Sequence, residues 1–196
     1  MELMRSGARI GSVSQCMDAR VRGATNYDEM LVISASEGCR ELCELAREWG
    51  ATAFDEMLTS AARGNFRVLC DLAREWGATK IENMLAGAAY GGHIALCEYA
   101  RDLGATDFNW MLMEATLGNQ RVMCHLARSW GAVDYNGMLI AAATKNNREL
   151  CELAYSWGAT NFDNMFASAA KAGNHALCEL ALLWSTIGEN ALREGA

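Results

Sequence analysis

The sequence predicts an all-α protein built from short helix pairs stacked one on another. The first observation is a fixed 27-residue period: the stretch ELCELAREWGAT at 41–52 returns as VLCDLAREWGAT at 68–79, and such periods are typical of stacked repeat proteins. The second is that apolar residues follow helical spacing within each period. The third is that the chain contains no proline and no alternating strand pattern. Three residue types mark the period: cysteine (Cys16, Cys43, Cys70, Cys97, Cys124, Cys151, Cys178), glycine (Gly23, Gly50, Gly77, Gly104, Gly131, Gly158) and methionine (Met30, Met57, Met84, Met111, Met138, Met165).

Each repeat is numbered from the alanine that follows its predecessor's final glycine, so Ala24 holds position 1. Residues 1–23 are expected to be the second half of an earlier repeat, because Cys16 and Gly23 lie on the same 27-residue lattice. Residues 186–196 are expected to form a polar C-terminal cap, and the whole of 1–196 a single repeat domain. The six full repeats are 24–50, 51–77, 78–104, 105–131, 132–158 and 159–185.

One repeat, 78–104, shows why two helices are predicted. Apolar residues at 84, 85, 88 and 89 share one helix face, and those at 94, 96, 97 and 100 share another. The glycines at 91–92 separate the two helices, and Gly104 ends the second one, where a left-handed residue is favoured. Thr25-x-x-Asp28 and its equivalents suggest capping boxes at the first helices, with Asp134 as the cap in the fifth repeat.

The charge balance limits the classes of partner. A formal net charge of −7 argues against a nucleic-acid partner, which requires clustered Lys and Arg, and also argues against docking on anionic membranes. No apolar run is long enough to span a membrane, and the stretch 1–15 lacks the apolar core of a signal peptide. We therefore expect an intracellular protein, and the interpretation of the cysteines as free packing residues predicts a reducing compartment.

The cysteines are interpreted as packing residues. Seven of the eight share one repeat position, and a free cysteine behaves there as a small buried hydrophobe. Cysteines in equivalent positions of stacked repeats are expected to lie too far apart to form disulfides. Disulfides or a metal site remain the alternatives. Cys39, which lies off this lattice, is the expected exposed thiol.

No pattern of catalytic residues is found. His93, His125 and His175 occupy three different repeat positions, and the carboxylates at position 21 are matched three residues later by Arg47, Arg74 and Arg101, which is typical of a solvated helix face. The regular tryptophans (Trp49, Trp76, Trp130, Trp157, Trp184) are interpreted as stacking residues. We expect no catalytic residue, no metal site, no cofactor and no enzymatic activity.

The third repeat resembles the ankyrin pattern TPLHLAAxxGHxxxVxxLLxxGA. The stretch NMLAGAAYGGHIALCEYARDLGA at 83–105 aligns with it without a gap, and the matching residues are Leu85, Ala88, Ala89, Gly92, His93 and Gly104. Ankyrin repeats are longer, with a period of about 33 residues, so the resemblance implies a helix pair that has lost the β-hairpin finger. It also implies a structural, hydrogen-bonding role for His93. The phrase CELAREWGAT is similar to the ankyrin-like proteins of large DNA viruses of amoebae, of the marseillevirus type.

The repeats differ most at repeat positions 6, 9 and 13, which lie on the first helix. In the fourth repeat these positions hold Trp110, Met113 and Leu117, whose spacing makes one apolar stripe. Tyr90 and Ile140 occupy the same positions in flanking repeats and are expected beside the stripe. The stripe is predicted to be either an exposed binding patch on the concave first-helix side or filler for space left by the short loops.

The predicted function is recognition of a protein partner through this first-helix surface. If the viral resemblance holds, the partner is expected to be a host protein. The alternative is a structural protein that associates with itself, as a homo-oligomer, through the patch or through its ends.

Overall fold

The computed structural model describes residues 2–194, with side chains up to residue 187. Within this range the chain is all-α, with fourteen helices and no strand, as the sequence predicts. The helices are α1 Glu2–Arg9, α2 Val13–Val21, α3 Tyr27–Ser36, α4 Arg40–Glu48, α5 Phe54–Arg63, α6 Arg67–Glu75, α7 Ile81–Gly91, α8 Ile94–Asp102, α9 Phe108–Leu117, α10 Arg121–Trp130, α11 Tyr135–Thr144, α12 Arg148–Ser156, α13 Phe162–Lys171 and α14 His175–Glu194.

The helices come in pairs, one pair for each repeat. The odd-numbered helices are the first helices of the repeats and the even-numbered ones are the second helices. A three-residue loop, such as residues 51–53, leads from each repeat to the next. These loops stand at the place where an ankyrin repeat has its β-hairpin finger, which the sequence comparison expected to be absent. Most helices have only 9 or 10 residues, and helices this short are marginal on their own in water. Their stability must therefore come from packing.

The helix pairs fall into two compact units, residues 1–106 and 107–196. In the first unit, neighbouring first helices pack in the order α1, α3, α5, α7. In the second unit, the order is α9, α11, α13. In both units each first helix also packs on the second helix of its own repeat, so the repeats follow one another in space as they do in the sequence.

The N-terminal segment contains a complete helix pair rather than the half repeat that the sequence suggested. Helix α1 occupies first-helix positions, and Met4 lies one repeat period before Leu31, with both side chains fully buried. The missed helix carries the sequence ELMRSGAR, in which Met4 takes the place of the usual leucine. At the other end, α14 runs without a break through the boundary expected at residue 186. The side chains of the predicted cap beyond residue 187 lie outside the described part of the chain.

The core of each unit is formed by the recurring residues. The methionines at position 7 are fully buried in all six repeats, together with leucine at position 8, alanine at position 12 and cysteine at position 20 in most of them. The small residues allow helices to approach closely: a methyl group added to Gly87 would lie 2.4 Å from the carbonyl oxygen of Thr59 in α5. The α5–α7 contact is therefore made by backbone as well as by side chains.

Two repeat positions require a left-handed backbone: position 15 in every helix pair, and position 27 in every pair except the last, where Ser185 lies inside α14. Gly77 ends α6 with φ +115°, and the N–H of Ala78 donates to the carbonyl of Ala73 at 2.9 Å, which is the bond of a Schellman cap. The turn between the two helices also contains a left-handed residue at position 15, which is always Gly or Asn, the residues that best tolerate this region. These residues are Gly11, Gly38, Asn65, Gly92, Asn119, Asn146 and Gly173.

The acidic residue at position 5 does not form the predicted capping box. The first helices begin after position 3, and no described side chain caps α3, α5 or α7. Instead, Asp55 Oδ1 accepts hydrogen bonds from the backbone N–H groups of Thr79 (2.8 Å) and Lys80 (2.9 Å) in the next repeat. We call this contact the inter-repeat clamp. The predicted cap at Asp134 is confirmed, since its side chain accepts from Gly137 N at 2.8 Å.

The clamp recurs along both units with acids or amides. Because an amide oxygen accepts the same two bonds as a carboxylate, the negative charge is not what the contact requires. The other acceptors with a described clamp are Asp28 to Thr52 and Ala53, Glu82 to Thr106, Asn109 to Val133 and Asp134, and Asn136 to Thr160 and Asn161.

The clamp predicts different outcomes for two substitutions of Asp55. Asp55→Ala leaves two backbone donors without their acceptor and should lower the free energy of unfolding by about 1 kcal/mol. Asp55→Asn keeps the acceptor oxygen and should change the free energy of unfolding by less than about 0.5 kcal/mol. The substitution removes only the ion pair with the exposed Lys80, which contributes little. Urea denaturation of both variants measures the difference. Equal destabilisation by Ala and Asn would contradict a hydrogen-bond role.

Candidate partner-binding surface

The apolar stripe of the fourth repeat lies along one side of α9. Trp110 and Leu117 are half-buried, and Met113 is 38% exposed. The opposite side of the same helix is core, because Met111 and Leu112 are fully buried. The stripe is therefore partly accessible along the length of the helix. Met113 is more exposed than a residue that only fills space in the core would be.

The beginning of α9 is held by a side-chain cap. Asp107 is the N-cap residue, and its Oδ1 accepts from the backbone N–H of Trp110 at 2.9 Å. This bond satisfies one of the free donors at the helix start. It therefore fixes the first turn, on which Trp110 is carried.

Ile140 lies on α11, which packs beside α9 in the same unit. It occupies the same repeat position as Met113 and is half-buried. The two helices therefore bring Trp110, Met113, Leu117 and Ile140 onto neighbouring first helices of the second unit.

Tyr90 belongs to the first unit, on α7. The guanidinium carbon of Arg63 lies 4.1 Å from the centre of its ring, a cation–π distance, so one face of the ring is covered by a residue of the preceding repeat. The side chain is half-buried. That Tyr90 lies beside Trp110 stays a prediction.

Leu117 also borders a polar groove at the turns of the fourth and fifth repeats. Two left-handed asparagines, Asn119 and Asn146, contribute to this groove, and the side chain of Asn147 donates to that of Asn119. The remaining lining residues are Lys145, Arg148 and Glu149. Sequence reasoning missed this groove. The sequence feature that could have indicated this groove is position 15, where a Gly or Asn in every repeat marks the turn between the two helices.

The tryptophans stack within their repeats, as predicted. Each packs edge-on or tilted against the aromatic residue at position 4, with centroid distances of 5.5–5.9 Å. The third repeat replaces both partners together, with Ile81 and Leu103 at the same two positions. The simultaneous replacement indicates that the pair is one packing unit rather than two independent surface residues.

Arginines at position 24 extend this stacking from one repeat to the next. The guanidinium carbons of Arg20, Arg47 and Arg128 lie 4.6–4.8 Å from the ring centres of tryptophans in the following repeat. The sequence predicted that Arg47, Arg74 and Arg101 pair with the carboxylates at position 21. This prediction was wrong for Arg47, because its expected partner Glu44 bonds Arg40 at 2.7 Å instead. The Asp71–Arg74 pair is present at 3.9 Å. The Glu98–Arg101 pair stays a prediction.

The histidines serve packing and backbone contacts at separate places. His93 Nε2 donates to the carbonyl of Arg63 in the preceding repeat at 2.9 Å, the structural role that was expected for it. The ring of His125 packs edge-on against Trp157 at 5.1 Å. Across the described side chains, no group of three His, Cys, Asp or Glu residues is placed to hold a metal ion.

The seven cysteines of position 20 are all free, and six of them are buried, while Cys178 is partly exposed. In six of the seven, the thiol lies 3.9–4.0 Å from the carbonyl oxygen at position 8 of its own repeat, a weak hydrogen bond between the two helices. Cys124 contacts the Thr116 hydroxyl instead, at 3.5 Å. Burial disfavours the thiolate and raises the pKa of Cys43, Cys70, Cys97 and Cys151 to about 12. Packing is thus their role, and Cys39 is half-buried at a turn.

No family model matches the chain, and a comparison with curated proteins found no match. Among the described helices, none combines the length and apolar character needed to cross a membrane.

The burial of the cysteines predicts a two-class labelling pattern. In dilute native protein at pH 8, Cys39 and Cys178 should react with a thiol reagent, because both are partly exposed. The six fully buried thiols should not react, because they are neither accessible to the reagent nor ionised. Those six should react only after unfolding. Mass spectrometry of labelled peptides measures this, and Cys39→Ser should remove one thiol from the fast class. Labelling of Cys70 at the rate of Cys39 would contradict the packing role.

Proposed function

We propose that the chain is a protein-recognition module that binds a partner through the first-helix surface around Trp110 and Met113. The observation that supports this most is the accessible apolar stripe on α9, at positions where some of the other repeats carry polar residues. The same positions hold Glu29 and Glu56, or Thr59, in the first two repeats. Tryptophan and methionine are enriched in interface cores, and tryptophan dominates binding hot spots.

The scaffold suits this role because its binding surface is formed before the partner arrives. Clamps, stacked aromatics and buried methionines hold the first helices in place. A preformed surface loses little conformational entropy on binding. The polar groove beside Leu117 adds hydrogen-bonding groups at the rim of the apolar stripe, which is the usual arrangement of an interface.

An enzymatic function is not proposed. The residues that could carry chemistry are engaged elsewhere: the thiols of position 20 lie against backbone carbonyls, and His93 bonds a backbone carbonyl. The resemblance to viral ankyrin-like proteins supports a host protein as the partner. The alternative function is self-association through the same stripe.

The test is a comparison of two matched double variants as affinity baits. Trp110→Asp/Met113→Asp introduces charge into the stripe, and Val68→Asp/Val122→Asp introduces it at exposed apolar residues of two second helices. A partner captured by wild type from an amoebal host lysate should bind the stripe variant at least about 30-fold more weakly. The variant loses the apolar hot spot and would bury unpaired charges in its place. The second-helix variant should bind as wild type does.

Folding and self-association are read out beside the capture. Circular dichroism should give equal helicity for the three proteins, and light scattering over a concentration series reports their association state. Association of wild type that the stripe variant alone loses would favour the self-association alternative. Equal capture by the two variants would contradict the proposed surface, and unfolding of the stripe variant alone would show that the stripe is core.

A further inference from the structure

The sixth repeat exposes a face that is buried in every other described repeat. Phe166 holds position 8 and is 37% exposed, whereas Leu31, Leu58, Leu85, Leu112 and Leu139 at that position are at most 1% exposed. Ala170 is exposed at position 12, and Cys178 is only partly buried at position 20. In the earlier repeats of the same unit, the equivalent residues are fully buried in the stack.

The same face carries additional apolar residues on α14. Position 24 normally covers an aromatic ring of the next repeat, as Tyr155 does by stacking on Trp184 at 4.4 Å. In the sixth repeat this position is Leu182, 57% exposed, followed by Leu183, 55% exposed. Earlier repeats have Arg or Tyr at the first of these positions and mostly acidic residues or serine at the second. The sixth repeat thus exposes apolar side chains at two positions where the earlier repeats expose mostly charged or polar ones.

The exposed side of α13 is self-complementary in charge. Its residues follow one helical stripe, with Asp163 at one end, Phe166, Ala167 and Ala170 in the middle, and Lys171 at the other end. Asp163 and Lys171 are about 12 Å apart along the helix, and neither has an ion-pair or hydrogen-bond partner among the described residues. If two such helices cross antiparallel at Ala167, each Asp163 meets the Lys171 of the other copy.

A head-to-tail contact between copies is disfavoured by the chemistry of the opposite face. Positions 22 and 26 contact the preceding repeat: Tyr99 donates to Asp71 at 2.7 Å, and Trp76 lies under Arg47. In the N-terminal helix pair these positions hold Asp18 and Arg22, both exposed. Charged residues there replace the leucine and tryptophan that most other repeats carry at these two positions. A polar outer face is typical of a capping repeat.

We propose that the exposed face of the sixth repeat, formed by Asp163, Phe166, Ala167, Ala170 and Lys171 of α13 and Leu182 of α14, binds the same face of a second copy of this chain. The two copies are related by a two-fold axis near Ala167, with α13 antiparallel to its counterpart. Such an isologous contact closes after two copies. The protein is then a dimer rather than an open-ended assembly, and this contact uses a surface separate from the stripe on α9.

The proposal is tested by sedimentation velocity of the full chain over about 1–200 μM, a range that brackets a micromolar dissociation constant. Wild type should change from monomer to dimer with no larger species. Asp163→Lys should weaken the dimer about tenfold, because it turns two opposite-charge contacts into two like-charge contacts. Asp163→Lys/Lys171→Asp exchanges the charges and should restore the wild-type dissociation constant.

A second pair of variants tests the apolar part of the face. Leu182→Glu should weaken the dimer about a hundredfold, since each copy would bury a charge in place of an apolar side chain. Val122→Glu, at a residue 65% exposed on α10, should have no effect. Circular dichroism checks that all variants remain folded.

Three results would overturn the proposal. The first is a monomer at every concentration. The second is a dimer that Asp163→Lys and Leu182→Glu leave unchanged. The third is growth beyond the dimer, which would indicate head-to-tail contacts.

Discussion

The structure depends on the contact between one repeat and the next. Each helix is too short to be stable alone, so each pair must bury its methionine, leucine and alanine residues against its neighbours. The clamp fixes the register of this contact, because the side chain at position 5 bonds the two N–H groups that begin the following repeat. Loops of three residues are sufficient for this purpose. The helix pairs stack without the hydrogen bonds of a β-hairpin in the described part of the chain.

This division of labour explains which positions are free to differ. In the six full repeats, positions 5, 7, 15 and 20 each have a stated physical task, and the residues there vary only among those that can perform it, such as Asp, Glu and Asn at position 5. Paired tasks change together, as Ile81 and Leu103 show in the third repeat. Positions 6, 9 and 13 have no such common task. Their variation therefore supports the proposal that recognition uses the stripe on α9.

Most of the fold could be predicted from the sequence because the repeated pattern reports each interaction several times. Helix pairs, buried cysteines, final glycines and stacked tryptophans were all readable in this way. The clamp was misread because Thr-x-x-Asp fits a local capping box as well as a contact between repeats, and spacing alone does not distinguish the two. Helix α1 was missed because Met4 stands where the other repeats have leucine or phenylalanine. The exposure of Phe166 and Leu182 was also unpredictable, since burial depends on the neighbour that covers a residue.

Hydrogen exchange in the wild-type protein tests the role of the clamp most directly. The amides of Thr79 and Thr160 are bonded by Asp55 and Asn136 of the preceding repeats. Thr25 is the internal control, because the residue at position 5 before it is Met1, whose side chain has no oxygen. If the clamp holds neighbouring repeats together, the amides of Thr79 and Thr160 should exchange at least about tenfold more slowly than that of Thr25, after correction for intrinsic rates. Equal, fast exchange at all three amides would show that the clamp is not maintained in solution.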